Sequence, residues 1–190
     1  MYTLDMREVE AKARLRNPDS VIAELTKRGI LFGEPKSQRD YIYVEKTGGV
    51  EAYLDNTLFL RIRETDTPGA LFTAKYNADR RAQMKTGDFA ATEHETRVAD
   101  AGELRAILAL LGYTEAVQVE KTRRTGKYEP YEICIDELSG EGAFIEVEML
   151  TDTDPESAHE EMWKFLETVG VPRSDQCFDR YDILMLKQKS

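Results

Sequence analysis

Residues 8–15 read Glu8-Val9-Glu10-Ala11-Lys12-Ala13-Arg14-Leu15, with charged and apolar residues alternating throughout. In a β-strand successive side chains point to opposite faces of the sheet. One face of this strand is therefore apolar, and the other carries two acids and two bases. The apolar face must be covered by other parts of the chain. Whether the charged face meets water or a bound partner decides both the fold and its use.

The same alternation returns along the chain. Arg61 and Arg63 alternate with Leu60 and Ile62, and Thr73 and Lys75 with Phe72, Ala74 and Tyr76. Glu93, Glu95 and Arg97 align, as do Lys121 and Arg123. Asp136 lies opposite Ile133 and Ile135, and Glu146 and Glu148 lie opposite Ile145 and Val147. These patterns predict strands near 6–15, 40–46, 58–64, 70–77, 91–98, 117–125, 131–137 and 143–150. Pro68-Gly69 and Gly140-Glu141-Gly142 mark turns between neighbours.

Three helices are punctuated by caps. Asn17-Pro18 opens one that ends at Gly29. Asp100, with Glu103 three residues on, opens a second that ends at Gly112, with Leu104, Ile107, Leu108 and Leu111 as its stripe. Asp154-Pro155 opens a third that ends at Gly170, with Ala158, Met162, Phe165 and Val169 on one face. Residues 78–90 lack periodicity and read as a long mobile loop of the kind that forms lids, with Arg80, Arg81 and Lys85 available to an anion. A strand, a capped helix, a glycine and a strand containing Val-Glu-Lys occur twice, from residue 8 and from residue 92, which hints at two related halves. No linker separates domains, so residues 1–190 are expected to form a single domain.

A chain of 190 residues with 41% hydrophobic content can bury a real core. Its net charge of -10 argues against binding nucleic acid or an anionic membrane. Two cysteines (Cys134, Cys177) and two histidines (His94, His159) make a zinc site of thiolates and imidazoles improbable. Any metal would be held by carboxylates, which suit Mg²⁺, Mn²⁺ or Ca²⁺. No apolar run of signal or membrane-spanning length is seen, so a cytoplasmic protein is the expectation. The oligomeric state stays open, a homodimer included.

Two readings of the charged faces stand side by side. Antiparallel sheets commonly turn one polar face to water. Alternatively, about eight strands can close into a barrel whose lumen holds a small ligand. The faces would then bring Glu8, Glu10, Glu93, Glu95, Asp136, Glu146 and Glu148 together with Lys12, Arg61, Arg63, Lys75, Lys121 and Arg123. Burying so many ions costs several kcal/mol apiece unless each is compensated. A polyphosphate would answer the bases, and a hard divalent cation would answer the acids.

The ordered set Glu8-x-Glu10-x-Lys12, Arg61-x-Arg63, Lys75, Glu93-x-Glu95, Lys121-x-Arg123, Asp136 and Glu146-x-Glu148 resembles the CYTH superfamily of triphosphate tunnel metalloenzymes. The resemblance spans nearly the whole chain. It implies an α+β fold, an eight-stranded antiparallel β-barrel or tunnel with helices packed outside, Mg²⁺ or Mn²⁺, and a triphosphate substrate such as ATP. It implies that Lys12, Arg61, Arg63, Lys75, Lys121 and Arg123 grip the triphosphate. Glu8, Glu10, Asp136, Glu146 and Glu148 would hold metal, and Glu93 and Glu95 would lie near a second metal or the attacking group. Lys12, Glu93, Glu95, Lys121 and Arg123 are the implied catalytic set, and Lys46 is placed near the mouth.

Ala11 and Ala13, with the tail Asp179–Leu186, look like the class IV adenylyl cyclase branch, in which the ribose 3′-OH attacks the α-phosphorus. The alternatives are a triphosphatase, in which water attacks the terminal phosphorus of tripolyphosphate or thiamine triphosphate, and a binder of nucleotide or polyphosphate without catalysis.

Overall fold

The computed structural model describes residues 7–48, 53, 58–76, 92–152 and 154–188. The loop expected at residues 78–90 lies outside the described residues. The elements run β1 (Arg7–Leu15), α1 (Pro18–Lys27), β2 (Lys36–Glu45), β3 (Leu58–Thr65), β4 (Ala70–Tyr76), β5 (Thr92–Val98), α2 (Ala101–Leu110), β6 (Tyr113–Tyr128), β7 (Tyr131–Leu138), β8 (Gly142–Thr151), α3 (Pro155–Thr168) and α4 (Tyr181–Gln188), with a 3₁₀ turn at Arg173–Asp175. Each strand expected from alternation is present. Among the described residues no helix is long and apolar enough to cross a membrane.

The helix starts follow from their caps. The side chains of Asn17, Asp100 and Asp154 accept hydrogen bonds from the backbone N–H of Ser20, Glu103 and Ser157, at 3.2, 3.0 and 3.0 Å. Each satisfies one of the donors that a first turn leaves without a partner. The β3–β4 turn needs Gly69 twice over. Its φ is +85°, and a Cβ there would sit 2.9 Å from the Val98 carbonyl oxygen.

The strands form one antiparallel sheet in the order β1-β8-β7-β6-β2-β3-β4-β5, an α+β fold. Exchanging β1 with β5, β2 with β6, β3 with β7 and β4 with β8 reverses this order and leaves it otherwise unchanged. The doubled strand–helix–strand pattern of the sequence is thus a doubled topology. Two compact units result, and they are not the sequential halves. One holds β1, α1, the end of β6, β7, β8 and α3. The other holds β2 to β5, α2, the start of β6 and α4.

In the first unit the apolar faces of β1 (Val9, Ala11, Ala13, Leu15), β7 (Ile133, Ile135) and β8 (Ile145, Val147) meet Val21 and Leu25 of α1 and Met162, Trp163 and Leu166 of α3. In the second unit Tyr43, Leu60 and Ile62 meet Leu104 and Leu108 of α2. The α2 stripe is narrower than its sequence suggests. Ile107 and Leu111 are 49% and 67% exposed, because only the i, i+4 pair Leu104/Leu108 faces the sheet. A second difference concerns the helices expected on the outside. The tail forms α4, whose Ile183 and Leu186 pack on Ile42, Val44 and Val117. Ile42 and Val44 lie on the opposite side of β2 from Tyr43, so α2 and α4 cover opposite faces of the same sheet.

Leu25 is fully buried, and Leu110 is 89% exposed. Leu25→Ala is expected to cost about 2–5 kcal/mol through lost contacts and a cavity. Leu110→Ala should stay within about 0.5 kcal/mol of wild type. Urea unfolding followed by the fluorescence of Trp163 checks both.

Candidate functional site

Opposite the apolar faces, the charged side chains fall into two clusters, one in each unit. In the first, antiparallel register sets Glu10 across from Glu148 and Lys12 across from Glu146 on β1 and β8. β7 adds Glu132 across from Glu148 and Cys134 across from Glu146. Lys12 Nζ lies 3.4 Å from Glu10 and 3.8 Å from Glu146. Burial disfavours its charge, but Glu10, Glu146 and Cys177 outweigh this and raise its pKa. Arg123 Nε donates to Asp136 at 2.7 Å, and its Nη2 bonds both Asp136 and Glu146. Asp136 is completely buried, and this fork matches the planar shape of its carboxylate.

Acids outnumber bases in this cluster, and Glu148 bears the consequence. Burial, followed by the charges of Glu10 and Glu146, pushes its pKa up to about 8. Glu8 faces the same way from β1 and adds to the effect. Among the described residues no three His, Cys, Asp or Glu side chains are close enough to share one metal ion. Glu10 and Glu148, opposite one another, would have to swing toward a common cation. The donor set nevertheless fits a hard divalent ion: carboxylate oxygens only, with one acid raised for want of positive charge. Asp136 and Glu146, by contrast, are already engaged by Arg123.

In the second unit bases predominate. Arg63 grips Asp40 with two 2.7 Å bonds, Nε to Oδ1 and Nη2 to Oδ2. Burial would raise the Asp40 carboxyl, but Arg63, with Arg61 and Lys121, holds it below its usual range. Arg61 Nη2 donates to Thr73 Oγ1 at 3.1 Å and lies 3.4 and 3.9 Å from the carboxylates of Glu95 and Glu93. Thr73 donates to Glu95 at 2.8 Å, and Lys75 lies 3.1 Å from Glu93. Among the described residues Arg61 Nε is buried with no acceptor, and burial together with the neighbouring Arg63 lowers the pKa of its guanidinium. Lys121 is 5% exposed, with its ammonium 4.8 Å from the centre of the Tyr181 ring.

The implied substrate and metal residues thus divide between the clusters. Glu8, Glu10, Lys12, Arg123, Asp136, Glu146 and Glu148 fall in one. Arg61, Arg63, Lys75, Glu93, Glu95 and Lys121 fall in the other. Lys46 is different: its Nζ lies 3.4 Å from the Ala109 carbonyl at the C-terminal turn of α2, where a cation suits the helix dipole. Sequence reasoning missed Asp40 and Thr73. Asp40 was detectable as an acid in phase with Ile42 and Val44. Thr73 carried no signal beyond its place beside Lys75.

Bases thus predominate in the charged cluster of one unit and acids in that of the other. The family model of the CYTH domain matches residues 6–177, and the chain belongs to that family. A Methanocaldococcus jannaschii protein named "Putative adenylate cyclase" is 28% identical over 173 residues, covering 90% of this chain and 93% of that protein. A Pyrococcus horikoshii structure superposes with a TM-score of 0.77 at 21% identity, over 94% of this chain and 99% of that one. A Hippeastrum structure, described as revealing a dominant triphosphatase activity, superposes with a TM-score of 0.67 at 14% identity, over 96% of each chain.

The raised acid makes the first cluster sensitive to pH. The folded pKa of Glu148, about 8, lies above its ordinary value of 4.5. The folded state therefore holds this proton more tightly than the unfolded chain does. That stabilisation is complete below the unfolded pKa and is lost as pH rises toward 8. Glu148→Gln should match wild type in melting temperature near pH 4.5 and exceed it increasingly toward pH 8. A difference that does not change with pH would contradict the assignment.

Proposed function

We propose that this chain is a divalent-metal-dependent enzyme acting on a triphosphate, and that its reaction is the cyclisation of ATP to cyclic AMP and pyrophosphate. The observation that carries the triphosphate reading is Arg61: a guanidinium buried beside Arg63, with one donor lacking an acceptor among the described residues and its charge disfavoured. A phosphate oxygen supplies both the acceptor and the negative charge. The name given to the Methanocaldococcus jannaschii relative supports cyclisation.

In this reading Arg61, Arg63, Lys75 and Lys121 bind phosphate oxygens, and Lys12 and Arg123 add positive charge beside the carboxylates. Glu8, Glu10 and Glu148 would hold Mg²⁺ or Mn²⁺, with Glu146 and Asp136 behind them and tied to Arg123. When bound, the metal would neutralise phosphate oxygens and favour ionisation of the attacking hydroxyl. The ribose 3′-oxygen forms a bond to the α-phosphorus as the bond from that phosphorus to the bridging oxygen breaks. Pyrophosphate departs with the bond's electron pair, toward the bases. The hydroxyl proton leaves to a carboxylate, for which Glu93 and Glu95 are the candidates.

A second reading, hydrolysis at the terminal phosphorus, draws on the activity described for the Hippeastrum neighbour. One experiment separates the two. The protein is incubated with Mn²⁺ and ATP, 3′-deoxy-ATP or tripolyphosphate, and the products are resolved by chromatography. Cyclic AMP with pyrophosphate from ATP, and no turnover of the 3′-deoxy analogue, is the expected result. ADP with orthophosphate, or tripolyphosphate consumed faster than ATP, would establish the triphosphatase. No turnover of any substrate, with EDTA making no difference, would overturn both.

A further inference from the structure

We infer that Tyr181 is a positioning residue for Lys121, and that a lock formed by Tyr53, Asp182 and Arg180 holds it in place. The inference rests on reading the basic cluster as phosphate-binding, and it adds to that site residues outside the charged strands.

The geometry begins with β6. Val117, Val119 and Lys121 alternate along one face of that strand, and all three are buried. The face is apolar at its start and charged at its end. α4 covers the apolar part through Ile183 and Leu186, which pack with Val117, Ile42 and Val44. Tyr181, the first residue of α4, therefore falls where the apolar part gives way to the charges. There its ring meets the Lys121 ammonium, 4.8 Å from the centroid.

An aromatic face attracts an ammonium without carrying net charge. The contact thus fixes the end of a long flexible side chain and leaves its positive charge in being. A lysine held this way loses less freedom when a phosphate arrives than one that must be ordered at that moment.

Tyr181 is itself anchored. Asp182, the next residue, is 3% exposed. It accepts from Arg180 Nε at 3.0 Å, from Arg180 Nη2 at 2.8 Å and from the Tyr53 hydroxyl. Arg180 Nη2 also donates to the Tyr53 oxygen at 2.6 Å. The Arg180 guanidinium lies 4.7 Å over the ring of Phe59, two residues before Arg61 on β3. The start of α4 is thereby tied to the strand that bears Arg61, and the rotation of α4 that presents Tyr181 to Lys121 is fixed. Tyr181 and Asp182, which carry no phosphate-binding chemistry, acquire a role through this placement.

The test uses the full chain and two readouts. The first is the NMR signal of the Lys121 ε-methylene, assigned with Lys121→Arg. It should be shifted upfield by the Tyr181 ring, keep that shift in Tyr181→Phe and lose it in Tyr181→Leu. It should also lose the shift in Asp182→Asn, where Tyr181 is intact, and Tyr53→Phe serves as the gentler lock variant if Asp182→Asn fails to fold. The second readout is calorimetric titration with tripolyphosphate and Mg²⁺. Tyr181→Leu should bind about tenfold more weakly, the loss expected of a desolvated cation–π contact, and Tyr181→Phe should bind as wild type does. A signal unshifted in wild type, a shift that survives loss of the lock, or equal affinities for the Leu and Phe variants would overturn the inference. Failure of wild type to bind tripolyphosphate would instead overturn the phosphate reading, and the Lys121 signal would still decide whether Tyr181 positions it.

Discussion

A charge removed from water must be compensated, and that constraint organises the polar face of this sheet. Arg123 meets it fully: its guanidinium lies between Asp136 and Glu146, and their charges outweigh the burial that would otherwise lower its pKa. Arg63 meets it through Asp40. Arg61 and Glu148 do not. Among the described residues one has a buried donor without an acceptor, and the other is an acid pushed up by burial and by its acidic neighbours. The two mismatches have opposite sign: an anion would resolve the first and a cation the second.

The doubled topology gives this division a physical origin. β3 and β4 carry Arg61, Arg63 and Lys75, whereas their counterparts β7 and β8 carry Asp136, Glu146 and Glu148. Strands at matching places in the order thus bear different charges in the two copies. Hydrophobic alternation, which builds the cores, is common to both copies. The charged positions alternate with it and can change sign without disturbing the packing.

Most of the fold was legible because a period of two fixes the faces of a strand and a cap fixes the start of a helix. Val9, Ala11, Ala13 and Leu15 are all buried, as their alternation required. Asn17, Asp100 and Asp154 all cap as expected. What escaped depends on long-range register. Nothing local to Asp40 announces that Arg63 lies across from it, and only the β2–β3 pairing shows that. Nor does the tail reveal that it returns as α4 to the face that bears the charges, since an amphipathic segment fits many surfaces. The exposure of Ile107 and Leu111 is of the same kind: an apolar stripe records what a helix could cover, and tertiary packing, here through Leu104 and Leu108, decides what it does cover.

The central claim is that the basic cluster of one unit takes phosphate oxygens and the acidic cluster of the other takes a divalent ion. A crystal of the protein grown with Mn²⁺ and tripolyphosphate, measured at the manganese absorption edge, tests this most directly. The account predicts an anomalous peak coordinated by Glu10 and Glu148, and phosphate density within hydrogen-bonding distance of Arg61 Nε. Manganese bound away from these carboxylates, or a phosphate chain on another surface with Arg61 Nε still lacking an acceptor, would contradict it.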